Sequence, residues 1–449
     1  MPGVLGPDEV RAVAQAALGL PGADGVEVLL MHEWGGLTRF ASSSIHQSTW
    51  REDTAVRVRV VKGGRIGVAA TNDFAPEGTR GAARNALEMA EVAAPDPFFP
   101  GLAPPMPIPE RAGFDEATAT ATPELRAEGV AALVSACARG FEAAGAFETV
   151  AMETAVANTE GQFCWTASSQ ASLTTVVTGG DGGSGFAEVF AAGIGDIDPE
   201  AVGRRAAGRA RASQKPRDLP PDRYTVVLQP SAVSTPVGFL AWIGFGGRGL
   251  IEGRSCLAGK EGLRVAAPAV SVFDDANSPL TLGIPFDFEG VPRQRVDLIR
   301  DGVFVGAVYD MRTAKQAGKQ STGHALPAPN PEGPFPLNLF LAPGDATLED
   351  MIASTERGLL VTRFHYSNVV HPVESTLTGM TRDGTFLIEG GEVKQPVKNL
   401  RFTQSILEAL ANTTMVGRDT ELASEFFFSA SRVPALKVEG FNFTGRSNH

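Results

Sequence analysis

At 449 residues the chain is too long for one average domain and long enough to bury a sizeable core. Its 43% hydrophobic and 20% charged residues fit an ordinary globular protein; no apolar run reaches the length of a membrane span, and the N-terminus lacks the basic region of a secretory leader. A net charge of −12 disfavours nucleic acid as a partner, since duplex binding rests on Lys and Arg neutralising phosphates, and three scattered cysteines, Cys137, Cys164 and Cys256, predict reduced thiols in a cytoplasmic protein.

The first half reads as a duplication. Pro7 to Leu18 is an expected helix with Asp8 and Glu9 in its first turn. Thr122 to Cys137 is another, with Thr122 as N-cap and Pro123 at the first helical position. Each leads into an expected strand, Val26 to Met31 and Glu148 to Val156, and then into similar segments, Arg39 to Ser43 and Cys164 to Ser169. Val56, Val58 and Val60 alternate as a half-buried strand before the Lys62-Gly-Gly64 turn. Ala-rich helices, Pro76 to Ala93 and Pro199 to Ala212, close the two units. His32-Glu33 opens like a zinc-binding helix, but Gly36 stands where the second His belongs, so a turn after the first strand is expected. Gly179 to Gly185 is an expected hairpin tip. Ala94 to Pro109 is a Pro-rich linker, and the Pro-rich break Lys215 to Asp222 sets the main boundary. The expected class is α+β: residues 1–216 form an N-terminal domain of two repeated α+β units, and residues 217–449 a β-rich C-terminal domain, barrel-like or a curved sheet.

Beyond Tyr224 to Leu228, an expected strand, comes the glycine-rich Gly244-Phe-Gly-Gly-Arg-Gly249. It fits the dinucleotide pattern by letter, but no helical periodicity follows in Leu250 to Ala258, so a close-packed or flexible loop is expected. Then come Ser255-Cys-Leu-Ala-Gly-Lys-Glu-Gly262, Val270 to Phe273 as a buried strand, and turns around Asp274-Asp275 and Asp287-Phe-Glu289. Arg300-Asp-Gly302 between two apolar runs is a strong hairpin signal. Met311 to Ala317 is helix-like, and the loop Gly318 to His324 follows. Thr347 to Glu356 and Thr403 to Ala411 are the remaining expected helices.

In this order, Ser-x-Leu-Ala-Gly-Lys-x-Gly, Phe-Asp-Asp, Asp-x-Glu-Gly, the Asp-Gly hairpin and Ala-x-x-x-Gly-x-x-Ser-Thr-Gly resemble the TldD/PmbA family, described as modulators of DNA gyrase and as subunits of a heterodimeric metallopeptidase. The resemblance covers nearly the whole chain. In the catalytic TldD branch it implies a helix with His-Glu and a second His just before the Ser-x-Leu-Ala-Gly-Lys motif, and a Cys ligand after Val-Gly-x-Asp. Here Val237 to Gly253 holds no histidine, and no Cys follows Val416-Gly-Arg-Asp419 between Thr420 and Gly440. The resemblance therefore implies the non-metallated TldE/PmbA-type subunit, with no metal or other cofactor of its own. Zinc is expected in a TldD-like partner, and the substrate is expected to be an unfolded or modified peptide.

Two polar clusters are the candidate peptide-channel or partner-facing residues: Ser321, Thr322 and His324 on one loop, and Arg363, His365, Tyr366 and His371 in one strand-like segment. The carboxylates Asp274, Asp275, Asp287 and Glu289 sit at turn positions, where Asp is a turn former, so a structural role is expected for them. Two other functions fit the same residues. One is a metal-independent hydrolase using Ser, Thr or His of the candidate clusters, and the other is a peptide-binding module without peptidase activity.

Overall fold

The computed structural model describes residues 3–137, 139–424 and 430–446. The first half forms one antiparallel six-stranded sheet. Its strands are β1 (Gly25–Ala41), β2 (Ser44–Lys62), β3 (Arg65–Thr71), β4 (Phe141–Asn158), β5 (Phe163–Gly179) and β6 (Ser184–Ala191), in the order β3-β2-β1-β4-β5-β6. Helices α1 (Pro7–Leu18) and α2 (Pro76–Val92) pack on the first three strands, and α4 (Pro123–Ala136) and α5 (Pro199–Ala212) on the last three; α3 (Glu116–Ala119) is a single turn between them. Each unit is thus a helix, a three-strand meander and a helix, and the two join where β1 pairs with β4. The long helices start on proline, and local caps fix two of them: Thr122 accepts from the Leu125 N–H and Asp198 from the Ala201 N–H.

The expected turn at His32-Glu33 is instead mid-strand, because β1 runs unbroken through Gly35-Gly36. Here the glycines are a packing requirement. A Cβ on Gly35 would lie 2.1 Å from the Thr149 carbonyl oxygen, and one on Gly36 would lie 2.0 Å from a guanidinium nitrogen of Arg126. The two similar segments of the repeat are also not equivalent: Arg39 to Ala41 ends β1 before a turn at Ser42 and Ser43, whereas Cys164 to Ser169 opens β5.

The second half builds an eleven-stranded mixed sheet. Its strands are β7 (Arg223–Leu228), β8 (Val272–Asp274), β9 (Val296–Arg300), β10 (Val303–Phe304), β11 (Leu339–Leu341), β12 (Arg357–His371), β13 (Thr376–Glu389), β14 (Glu392–Pro396), β15 (Leu400–Ser405), β16 (Thr413–Ala423) and β17 (Ser431–Arg446). β7 pairs with β12 in parallel and with β17 antiparallel, so β17-β15-β13-β12-β7 closes into a ring. The Asp301-Gly302 turn joins β9 to β10 with both residues at positive φ, 48° and 79°, as a two-residue hairpin of this twist requires. The helices are α6 (Pro230–Ile243), α7 (Gly247–Ile251), α8 (Met311–Ala317), α9 (Leu348–Ala353) and α10 (Ile406–Ala411). α6 is apolar over most of its circumference, and its buried Val233, Val237, Leu240 and Ala241 belong to the main core of this half.

Polar side chains fasten the halves together. Arg59 of β2 donates to Glu27 at 2.7 Å and, across the seam, to Glu289 at 2.9 Å. Gln162 donates to the Gly290 carbonyl at 2.6 Å, and Arg312 pairs with Asp96 at 2.6 Å.

Candidate functional site

The Phe-Asp-Asp, Asp-x-Glu-Gly and Ser-Thr-Gly-His segments meet in one buried polar knot. His324 has no exposed surface; its Nε2 lies 3.0 Å from Asp274 Oδ1, and its Nδ1 lies 2.8 Å from the Thr322 carbonyl oxygen. The other oxygen of Asp274 accepts the Asn338 N–H at 2.6 Å. Asp287 accepts the N–H groups of Glu289, Val291 and Ala325, each at 2.9 Å, and so folds its own loop. Burial, with Glu289 adding to it, pushes the Asp287 carboxyl up to about 7. Ser321 and Thr322 direct their hydroxyls to the Tyr309 carbonyl, at 3.2 and 3.1 Å. The structure brings Thr322 and His324 together, but Ser321 does not face the imidazole. The knot ties loops to one another and has the chemistry of a structural cluster.

The β12 residues divide in the same manner. Arg363 forks onto Asp383, with Nε at 2.7 Å, and its guanidinium lies 4.0 Å from the centre of the Phe186 ring on β6, which links the two sheets. His365 packs against Tyr366 with ring centres 4.3 Å apart and the planes tilted by 48°; burial, then Arg382 and Arg363, push its pKa down. Tyr366 sits at a bulge with φ 50° and is 75% exposed. His371 accepts the Glu374 N–H at 3.3 Å and closes the turn after the strand. Of the seven sequence candidates, then, His324 and Arg363 are consumed by internal partners. His365, Tyr366 and His371 keep part or all of their surface.

Sequence reasoning missed a cleft of about 530 Å³ between the C-terminal end of α6 and the far end of β12. Trp242, Ile243, Phe335, Val369 and Val373 supply its large apolar lining. These side chains read as ordinary core in the sequence. The one available signal was the glycine-rich run from Gly244 to Gly249, of which Gly244, Gly246 and Gly249 line the cleft. That run is no dinucleotide site, because a helix and not a strand precedes it and α7 spans only five residues.

This is also where the resemblance would put a zinc helix, and the residues present do not fit one. α6 carries no His, Cys, Asp or Glu. The nearby Ser255 hydroxyl is turned inward, donating to the Gly244 carbonyl at 2.6 Å. Among the described residues, no three His, Cys, Asp or Glu side chains come together as a metal would need.

Family comparison matches residues 221–445 to the PmbA/TldA metallopeptidase C-terminal domain, residues 26–90 to domain 1 and residues 106–214 to the central domain. The metalloprotease PmbA of Escherichia coli O157:H7 is 25% identical over 437 residues, 93% of each chain. A metalloprotease TldD homolog of Haemophilus influenzae is 29% identical over 171 residues, 37% of this chain and 35% of that one. In fold, the crystal structure of TldE from Thermococcus kodakarensis superposes with a TM-score of 0.86 at 22% identity, covering 98% of this chain and 99% of that one.

Proposed function

This chain belongs to the PmbA/TldA metallopeptidase family, and on that premise we propose that it is a non-catalytic, TldE/PmbA-type subunit of a heteromeric metallopeptidase. Its partner is a TldD-like chain that carries the zinc, and together they handle unfolded or modified peptides in the cytoplasm. The observation that carries this reading is α6. At the place where the catalytic branch is expected to hold its ligands, this chain has an apolar helix ending in Trp242-Ile243. The alternative of a self-sufficient hydrolase is weakened by the partners of Ser321 and His324, since a nucleophile and its base need to face each other.

Reconstitution with a TldD-like chain tests the proposal. The isolated chain is expected to hold no stoichiometric zinc and to leave an unfolded peptide intact, while the pair cuts it and loses activity to a chelator. Cleavage by the isolated chain in the presence of chelator, or failure of the two chains to associate, ends this reading.

A further inference from the structure

The buried knot borders on a cation that its own partners do not satisfy. Arg293 is 2% exposed, and its Nε donates to the Phe286 carbonyl at 3.2 Å. Both terminal nitrogens, Nη1 and Nη2, are buried and meet no acceptor among the described residues. Burial lowers the pKa of the guanidinium, and Asp274 and Asp287 raise it, yet neither carboxylate comes within hydrogen-bond distance of a terminal nitrogen. A guanidinium stays ionised even when buried, so its donors need acceptors. Asn277 repeats the pattern with the opposite sign. Its Nδ2 donates to the Arg293 carbonyl at 2.9 Å, while its Oδ1 is buried and receives no donor among the described residues.

The neighbouring carboxylates can accept more than they do. One oxygen of Asp274 holds the His324 imidazole and the other the Asn338 N–H, while Asp287 Oδ2 holds the Ala325 N–H. A carboxylate oxygen has two lone pairs, so each of these three can take a further donor. Charge decides what can lie between them and Arg293. Asp274 and Asp287 would repel an anion, and the guanidinium itself would repel a cation. The bridging group is therefore neutral, and it must accept from Nη while donating to a carboxylate or to Asn277 Oδ1. Enclosure narrows the choice further. Asp274, Asp287 and His324 have no exposed surface, and a Cβ on Gly323 would lie 2.8 Å from the Arg293 Cα, so the loops press directly on one another. Water is the molecule that meets both conditions.

We propose that Arg293 anchors an internal water site, in which ordered water bridges its Nη groups to Asp274, Asp287 and Asn277. The water joins the Phe-Asp-Asp segment to the loop that ends at Arg293, and so is part of what holds the knot. This inference is independent of whether the chain serves a peptidase.

A high-resolution crystal structure of the full chain tests it. Water density is expected at about 2.7–3.2 Å from Nη1 or Nη2 and within the same reach of a carboxylate or of Asn277. Magnetic relaxation dispersion counts long-lived internal waters in solution, and Arg293→Met should lower that count, because the thioether chain fills the volume without offering a donor. Direct contact between an Nη group and Asp274 or Asp287 in the crystal overturns the proposal. So does an anomalous peak on the guanidinium after a bromide soak, since the occupant would then be an anion, and so does an unchanged count in the folded variant. If Arg293→Met does not fold, the density in the wild-type crystal decides alone.

Discussion

Arg59 is a single cation shared between two buried carboxylates, and this sets the acid–base behaviour of the seam. Burial pushes Glu27 up to about 7 although Arg59 pulls it down, and Glu289 adds a second negative charge beside it. A carboxyl that titrates near 7 when folded and near 4.5 when unfolded makes the folded state bind more protons between those values. Its stabilising contribution is therefore complete below 4.5 and is lost as pH rises through about 7. Asp287 acts in the same direction. Melting temperature is expected to fall between pH 5 and 8, and Glu27→Gln should flatten the slope, an effect on the order of 1–3 kcal/mol; an unchanged slope in the variant would show that Glu27 does not titrate there. His324 carries a second residue-scale expectation. Its replacement by Ala leaves Asp274 buried without its imidazole, which should cost about 2–4 kcal/mol in denaturant unfolding. From the sequence, Ser321, Thr322 and His324 are legible as a polar loop and no more. Whether such a loop lines a channel or closes a knot depends on Asp274, fifty residues earlier in the chain, and linear spacing does not encode that meeting.

At the scale of single elements, the sequence is most legible where local chemistry is decisive. Thr122 with Pro123, Asp310 ahead of Met311, and Asp301-Gly302 each fix a boundary through a cap or a turn, and those boundaries are where the residues say. β1 is where local reading fails. Gly35-Gly36 weighs as a strand breaker when only neighbours in sequence are considered, yet pairing with β2 on one side and β4 on the other holds the strand through it. The same close approach gives a prediction. Gly35→Ala places a methyl against the backbone of Thr149, where nothing can rotate away, and should destabilise by about 2–4 kcal/mol. A melting temperature equal to that of the wild type would mean the two strands can separate at low cost. The apolar cleft was not legible for a related reason. Trp242, Phe335 and Val373, far apart in sequence, look like core residues until the fold brings them around one hollow.

Across the whole molecule, two sheets with cores of their own meet at a seam where Phe286 packs against Leu29, Val156 and Cys164 and where buried polar contacts, among them Arg59 to Glu289, cross between them. Arg59→Ala would strand both Glu27 and Glu289 in the seam, with an expected cost of about 3–5 kcal/mol. Its thermal unfolding should also separate into two transitions, since the halves would retain their own cores; a single, unshifted transition would show that other contacts carry the coupling. The ring in the second half bears on how the protein is made. Its first strand, β7, closes against its last, β17, so Tyr224 waits for Phe441. The six-stranded sheet has no such dependence and is complete once α5 has been synthesised. At roughly 5–20 residues per second, the ribosome leaves β7 without its β17 neighbour for about 10–45 seconds. During that interval α6, apolar over most of its surface, has no finished barrel to cover it. The nascent chain is thus half native and half chaperone client. Pulse proteolysis of stalled chains should find the first half resistant well before residue 441 emerges, and the second half cut until it does.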